Sequence, residues 1–415
     1  MNKFICSLAI TAIASTGHTD ELADLRAQVQ ALQQQLSNLR ESNEARMAAL
    51  EAALSAAAPS PAQAPAAPAA PAITPAEIPV GGTNVPYYGG TSGSKLFNPD
   101  TAMIGNFLGV AGRSGEQGAA AATFREGELG LQAIVDPYAR ADFFLAFGEQ
   151  GVELEEGYAT FTSLPTQTLA KVGRMRTSFG KVNAMHLDIL PFVDYPLPIR
   201  NLLGSEEGLL GSGVSLSHFI PAPGDLFLDG TLEIFRGQEE GLFESPRKRD
   251  LFYLGHLKTY KDLSEESNLE IGASFASGPN ASGLGNRTRL YAADLTYRWK
   301  PLRRAIYQSF QLRSEFYWSD RETEGFHQRA FGFYAFAQQQ LRRRWFLGGR
   351  YDQSGRAEDP DATDRSGSLI LTFWPSEFSQ LRGQYRRTHY AFGSTADELL
   401  MQVQINIGAH GAHPF

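Results

Sequence analysis

Cysteine is almost absent: the only one in 415 residues is Cys6. It sits in MNKFICSLAITAIA, where Lys3 gives a short positive start, residues 4–14 run apolar, and Ala12-Ile13-Ala14 is a small-x-small cleavage site. Residues 1–14 are therefore expected to be an export signal. Its removal leaves no cysteine, which excludes disulfides, zinc thiolates and a cysteine nucleophile. A lipid-accepting cysteine would end the apolar run, whereas Cys6 begins it. No stretch reaches the roughly 18 apolar residues of a spanning helix, which excludes a helical membrane protein but not a membrane β-barrel. Net basicity is also lacking: the formal charge is -8, unsuited to a phosphate-binding surface, so nucleic acid is not expected as a partner. The chain has no Gly-x-Ser-x-Gly elbow, phosphate-cradling loop or His-Glu-x-x-His, so neither an enzyme nor a bound cofactor is expected.

What is present falls into three unlike parts. Leu22, Leu25, Val29, Leu32, Leu36 and Leu39 follow the 3-4 spacing of a coiled-coil seam, and Met47, Leu50 and Leu54 resume it after a phase shift. So narrow a stripe needs a partner, and an oligomerising coiled coil is expected over 18–54. Its strand number is left open. Residues 55–96 begin with the Ala/Pro tract SAAAPSPAQAPAAPAAPAITPAEIP, an extended linker unable to build a core. Helix and polyproline tract together could reach about 125 Å, enough to approach a cell wall.

From about residue 97 the period becomes two. In the last segment Leu399, Met401, Val403, Ile405 and Ile407 alternate with Leu400, Gln402, Gln404, Asn406 and Gly408. Sixteen such segments are read between 101 and 415, among them 166–178, 305–319, 367–375, 378–392 and 398–415. Short proline-bearing turns at Asp136-Pro137, Leu164-Pro165, 221–225, Lys300-Pro301 and 374–377, with a longer one at 261–267, alternate with polar glycine-rich loops. Trp299, Trp345 and Trp374 fall at the turn ends and Trp318 at a loop end, as in an aromatic girdle. The expectation is a closed antiparallel transmembrane barrel of about 16 strands over 97–415, embedded in lipid.

The connection at 179–209, FGKVNAMHLDILPFVDYPLPIRNLLGSEEGL, is the longest and the most apolar. Met185, Leu187, Ile189, Leu190, Phe192, Val193, Leu197 and Ile199 need burial, which folding into the lumen would supply. Lys181, His186, Asp188, Asp194, Arg200, Glu206 and Glu207 are its charged or titratable groups and are the candidate constriction. Strand parity points Arg174, Arg176, Arg298, Arg313, Arg350, Arg382 and Arg386 inward, with Asp229, Glu233, Asp294, Glu315 and Asp352. These are candidate pore-wall residues of both signs, and anion or cation preference stays open. Phe415 ends the last alternating segment. His410 and His413 offer two metal ligands where a structural site wants four, so no metal is expected.

Three stretches carry a family resemblance: FNPDTAMIGNFLG at 97–109, KVGRMRTSFGKVNAMHLDILPFVDYPL at 171–197, and GAHGAHPF at the end. The chain resembles sixteen-stranded outer-membrane porins. Its second stretch is similar to the Gly-Arg…Phe-Gly-x-x-Asn…His…Pro pattern that leads into the constriction loop of phosphate-selective porins. The resemblance implies a passive, trimeric diffusion channel in a Gram-negative-type outer membrane, with the coiled coil in the periplasm and Phe415 as signal to the assembly machinery. Alternatives are a structural anchor tethering the coiled coil, and a metal or siderophore uptake receptor. Against the second, the coiled coil and linker leave no plug domain before strand one, and sixteen strands fall short of the 22-stranded transporters.

Overall fold

A computed structural model describes Gln34 and residues 99–113, 121–149, 151–204, 208–224, 226–237, 242–244, 247–359 and 361–408. The chain divides into two compact units, Met1–Pro79 and Val80–Phe415. The expected signal at 1–14, coiled coil at 18–54 and linker at 55–96 lie outside the described residues but for Gln34. Glu206, Glu207, His410, His413 and Phe415 also lie outside them.

The second unit is a closed barrel of sixteen strands. They are β1 (Asp100–Arg113), β2 (Ala122–Asp136), β3 (Ala139–Gly148), β4 (Gly151–Phe161), β5 (Thr168–Arg176), β6 (Leu210–Pro221), β7 (Phe227–Arg236) and β8 (Leu251–Ser264). There follow β9 (Ser267–Pro279), β10 (Arg287–Trp299), β11 (Phe310–Thr323), β12 (Phe326–Arg342), β13 (Trp345–Gly355), β14 (Thr363–Ser376), β15 (Ser379–His389) and β16 (Thr395–Gly408). Sequence neighbours pair antiparallel, and β1 closes on β16 with Met103 opposite Ile407. Among the described residues no helix is long and apolar enough to cross a membrane.

Alternation decides which face each side chain takes. On β16 Leu399, Met401, Val403, Ile405 and Ile407 are exposed on the outer face, while Gln402, Gln404 and Asn406 are buried inside. The exterior is apolar round the ring, while the inner wall is polar on β16 and carries buried apolar and aromatic residues such as Phe235, Phe252, Tyr334 and Phe336 under the β5–β6 connection.

Several expected boundaries move. β11 starts at Phe310 rather than 305, because Pro301 opens a short helical turn at Leu302–Arg304 whose last carbonyl accepts the N–H groups of Tyr307 and Gln308. β5 starts at Thr168 rather than 166, after Thr166 and Gln167 take positive φ of 64° and 56°. The turn expected at 261–267 shrinks to Glu265 and Glu266, since both flanking strands extend into it. β14 begins at Thr363 rather than 367; β15 ends at His389 rather than 392 and β16 begins at Thr395 rather than 398.

The apolar core is inside the barrel. Phe179, Val182, Leu190, Phe192, Ile199 and Leu202 of the β5–β6 connection are fully buried, against Tyr317, Tyr334 and Phe336 of the wall. Phe192 meets Tyr334 and Phe336 edge-on at centroid distances of 6.2 and 5.4 Å. Burying one such ring contributes about 2–3 kcal/mol.

Candidate functional site

The connection between β5 and β6 is closed at its base by Asn183. The side-chain amide of Asn183 donates to the carbonyls of Thr177 and Leu209 at 2.9 and 3.0 Å, and its oxygen accepts the Leu209 N–H at 2.6 Å. Gly208 must be glycine here: at φ +78° a Cβ would sit 2.2 Å from the Asn183 oxygen.

From that base the chain is held at three places. The first is on β9 and β11. The Glu315 carboxylate accepts the N–H groups of Lys181 and Val182 at 2.9 and 3.0 Å and the hydroxyls of Tyr317 and Tyr334. The Lys181 ammonium pairs with Glu270 at 2.5 Å, and Arg298 reaches the other Glu270 oxygen at 3.3 Å. Burial pushes Lys181 down to about 7, with Arg298 and Arg313 adding to the push against Glu270.

The second is on β2 and β4, across the ring from the first. His186 Nδ1 lies 3.1 Å from Glu128 and 3.3 Å from Glu155, and Nε2 lies 2.8 Å from Glu156. Burial alone would lower this imidazole, but the Glu128 carboxylate and hydrogen bonds to Glu128, Glu155 and Glu156 push it well above its ordinary value. Burial and the nearby Glu128 raise Asp188 to about 7. Arg176 pairs with Glu155 at 3.1 Å, and its backbone N–H donates to Glu156.

The third is on β13 and β15. Asp194 accepts from Arg350 at 3.0 Å, from Arg386 at 2.6 Å and from the Gln384 amide at 2.6 Å. Burial opposes its charge, but the two guanidiniums hold its carboxyl well below the usual carboxylate range. Arg382 donates to the Phe192 carbonyl at 3.2 Å, the Arg350 guanidinium lies 4.5 Å over the Phe192 ring, and Gln384 accepts the Val193 N–H at 2.9 Å. Arg125 of β2 donates to the Val193 carbonyl at 2.6 Å. The segment continues into a short helix, α1 (Leu197–Leu202), against β12 and β13. Beyond α1, an open cavity of about 540 Å³ is lined by Arg200, Arg321, Arg356, Glu358, Asp364 and Phe392 among others.

Lys181, His186, Asp188, Asp194, Arg176, Arg298, Arg313, Glu315, Arg350, Asp352, Arg382 and Arg386 all face the interior. The connection covers most of them: Arg313, Glu315, Arg350, Asp352 and Arg382 are 4, 0, 3, 0 and 4% exposed. Arg350 also pairs with Asp352 at 2.9 Å, and Arg386 with Glu398 at 2.6 Å. Arg174 is the exception to the expected parity. It pairs with Gly157 and Ser212, on the outer face shared by exposed Val172 and Val214. There it reaches Leu154 O and Glu153.

Glu126, Glu128, Glu155, Glu156, Arg125 and Gln384 were not singled out in the sequence. Glu126 and Glu128 do show a period-two signal. Arg125 and Glu155 do not, because each is the extra residue of a bulge. The β1–β2 register skips from Asn106–Glu126 to Phe107–Phe124, and the β3–β4 register from Phe144–Glu156 to Leu145–Leu154. A bulge re-aims one side chain against the alternation, and here both turn inward.

No protein-family model matches the chain. An uncharacterized protein of Aquifex aeolicus (strain VF5) is 30% identical over 329 residues, covering 69% of each chain. Among solved structures the chain is similar to Pseudomonas putida OprB, at 9% identity and TM-score 0.51, covering 75% of this chain and 94% of that one. It is also similar to the anion-selective porin from Comamonas acidovorans, at 10% identity and TM-score 0.50, covering 74% and 100%. The outer membrane channel DcaP of Acinetobacter baumannii is similar at 8% identity and TM-score 0.50, covering 75% and 96%. These likenesses are of fold: the closed barrel of the outer-membrane porins.

Proposed function

This chain belongs to the family of that Aquifex aeolicus protein, and from that premise we propose that it is a passive outer-membrane diffusion channel for small hydrophilic solutes or ions, with residues 179–209 as its constriction. One observation carries the reading: a closed barrel with an apolar exterior has its interior crossed by a charged connection tied to β9 and β11 on one side and to β2 and β4 on the other. An apolar exterior suits lipid, and a polar interior suits water and solutes. A bonded connection sets a size limit, and the charges around it set preference. The names of two fold neighbours, a channel and an anion-selective porin, point the same way.

An anionic solute is the finer form of the proposal. It rests on the likeness of 171–197 to phosphate-selective porins. The export signal, a trimer joined by the periplasmic coiled coil, cell-wall contact, and Phe415 as assembly signal complete the proposal. No catalytic role is assigned. Single-channel recording in planar bilayers tests it. Ohmic steps that grow on deleting 184–199 are expected; no conductance before or after deletion would sink the channel.

A further inference from the structure

We infer that the pocket between His186–Asp188 and strands β1, β2 and β4 binds one divalent cation through oxygen ligands, with calcium as the best fit. Carboxylate oxygens of Glu126, Glu128 and Glu155 lie within 4.8 Å of one another, and Glu128, His186 and Asp188 form a second group with the same spread. Glu128 is common to both. A calcium–oxygen bond is about 2.4 Å, so ligands on opposite sides of one ion lie about 4.8 Å apart. Each group has the span of one coordination sphere, and Glu128 joins them.

The space between them fits. A cavity of about 10 Å³ is lined by Asn106, Glu126, Glu128, Glu155, His186 and Asp188 among others. That is room for about one water molecule or one ion.

The independent observation is a pair of orphaned oxygens. Asn106 and Asp188 are only 3% and 8% exposed, and the Oδ1 atom of each is buried with no hydrogen-bond partner. Both residues line this cavity. Buried acceptors are ordinarily satisfied, and two unsatisfied ones on one small cavity call for a shared electropositive occupant.

Charge points the same way. Glu126, Glu128, Glu155, Glu156 and Asp188 bring five carboxylates to the cluster, faced by His186, Arg176 and, toward Asp188, Arg382. His186 takes Glu128, Glu155 and Glu156, and Arg176 takes Glu155. Glu126 and Asp188 have no ion pair among the described residues. A dication supplies what they lack. The donors are carboxylates and one amide oxygen, a set that suits calcium or manganese over softer metals; both His186 nitrogens face Glu128, Glu155 and Glu156 and donate to them rather than to the ion. Bound there, the ion would tie residues 186–188 to β1, β2 and β4. This inference does not depend on the channel reading.

The test uses full-length barrel refolded from inclusion bodies, free of lipopolysaccharide, in detergent. It is titrated with calcium chloride by calorimetry and with manganese by electron paramagnetic resonance. One ion per barrel is expected, weakened about tenfold by Asp188→Asn and at least 100-fold by Glu128→Gln with Asp188→Asn. Heat-modifiable gel mobility establishes that each variant is folded. Absence of saturable one-per-barrel binding in the unaltered protein overturns the site, and so does binding unchanged in a folded double variant.

Discussion

The Glu315 carboxylate accepts the backbone N–H of Val182 at 3.0 Å from a point 133 residues further along the chain. With the Lys181 N–H and the hydroxyls of Tyr317 and Tyr334 it has four donors. A charged acceptor makes each bond worth more than its neutral counterpart. Glu315→Gln would place an amide N–H₂ against donors and should cost about 3 kcal/mol. Hydrogen exchange at Lys181 and Val182 should rise at least tenfold in this variant while exchange in β14–β16 stays unchanged.

Gly180 takes φ +66°, and a Cβ built on it would lie 2.5 Å from the same Glu315 carboxylate. Gly180→Ala combines backbone strain with a steric push on a fully bonded acceptor. A loss of about 2 kcal/mol by urea unfolding is expected. Gly367→Ala, where a Cβ meets nothing within 4 Å, should be nearly silent and serves as the control.

Asp194 gives the third hold its pH dependence. Burial works against its charge, yet Arg350 and Arg386 keep its carboxyl well below the ordinary range. The folded value is therefore depressed. Its stabilisation is fully present above the unfolded value of about 3.9 and is lost as pH falls through the folded one. Protection of residues 190–196 should hold between about pH 5 and 8 and decline below about pH 4. Asp194→Asn leaves Arg350 buried without this partner and should cost about 3 kcal/mol at neutral pH. It should also flatten the acid limb, and an unchanged limb would assign the acid sensitivity to another group.

Arg382 and Arg386 bear on conduction. Both bond to the connection, at the Phe192 carbonyl and the Asp194 carboxylate. Replacing both with Glu puts like charge beside Asp194 and Glu398 and frees the segment around Phe192. Larger single-channel steps and a reversal potential shifted toward cations are expected. Unchanged reversal potentials in a folded variant would show that these positions do not face the conducting path.

The strands were legible because one physical cause, an apolar outside against a polar inside, writes a period of two directly into the residues, as along β16. Residues 179–209 stood out for a related reason: an apolar stretch off the wall needs cover. Two kinds of detail were not legible. Strand ends at Pro165 and Pro301 depend on turn geometry that shifts the start by two to five residues. The inward aim of Arg125 and Glu155 depends on bulges, and a bulge reverses parity without altering composition. Arg174 lies outside for a different reason: Arg176, from which its parity is counted, is the last residue of β5, and no bulge intervenes. The carboxylate cluster around His186 joins β2, β4 and the connection, so no single segment displays it.

The holds on the β5–β6 connection also order assembly in time. Lys181 waits for Glu270, 89 residues on, Val182 for Glu315, and Val193 for Gln384, 191 residues on. Synthesis from the N-terminus delivers the connection well before any of these partners. Contacts of such long sequence separation form slowly because the intervening chain must first be organised. Until β12 brings Tyr334 and Phe336, the Phe192 ring lacks its cover, and until β15 arrives Val193 lacks Gln384. The stretch that fills the finished barrel is thus the one most in need of a chaperone on the way there.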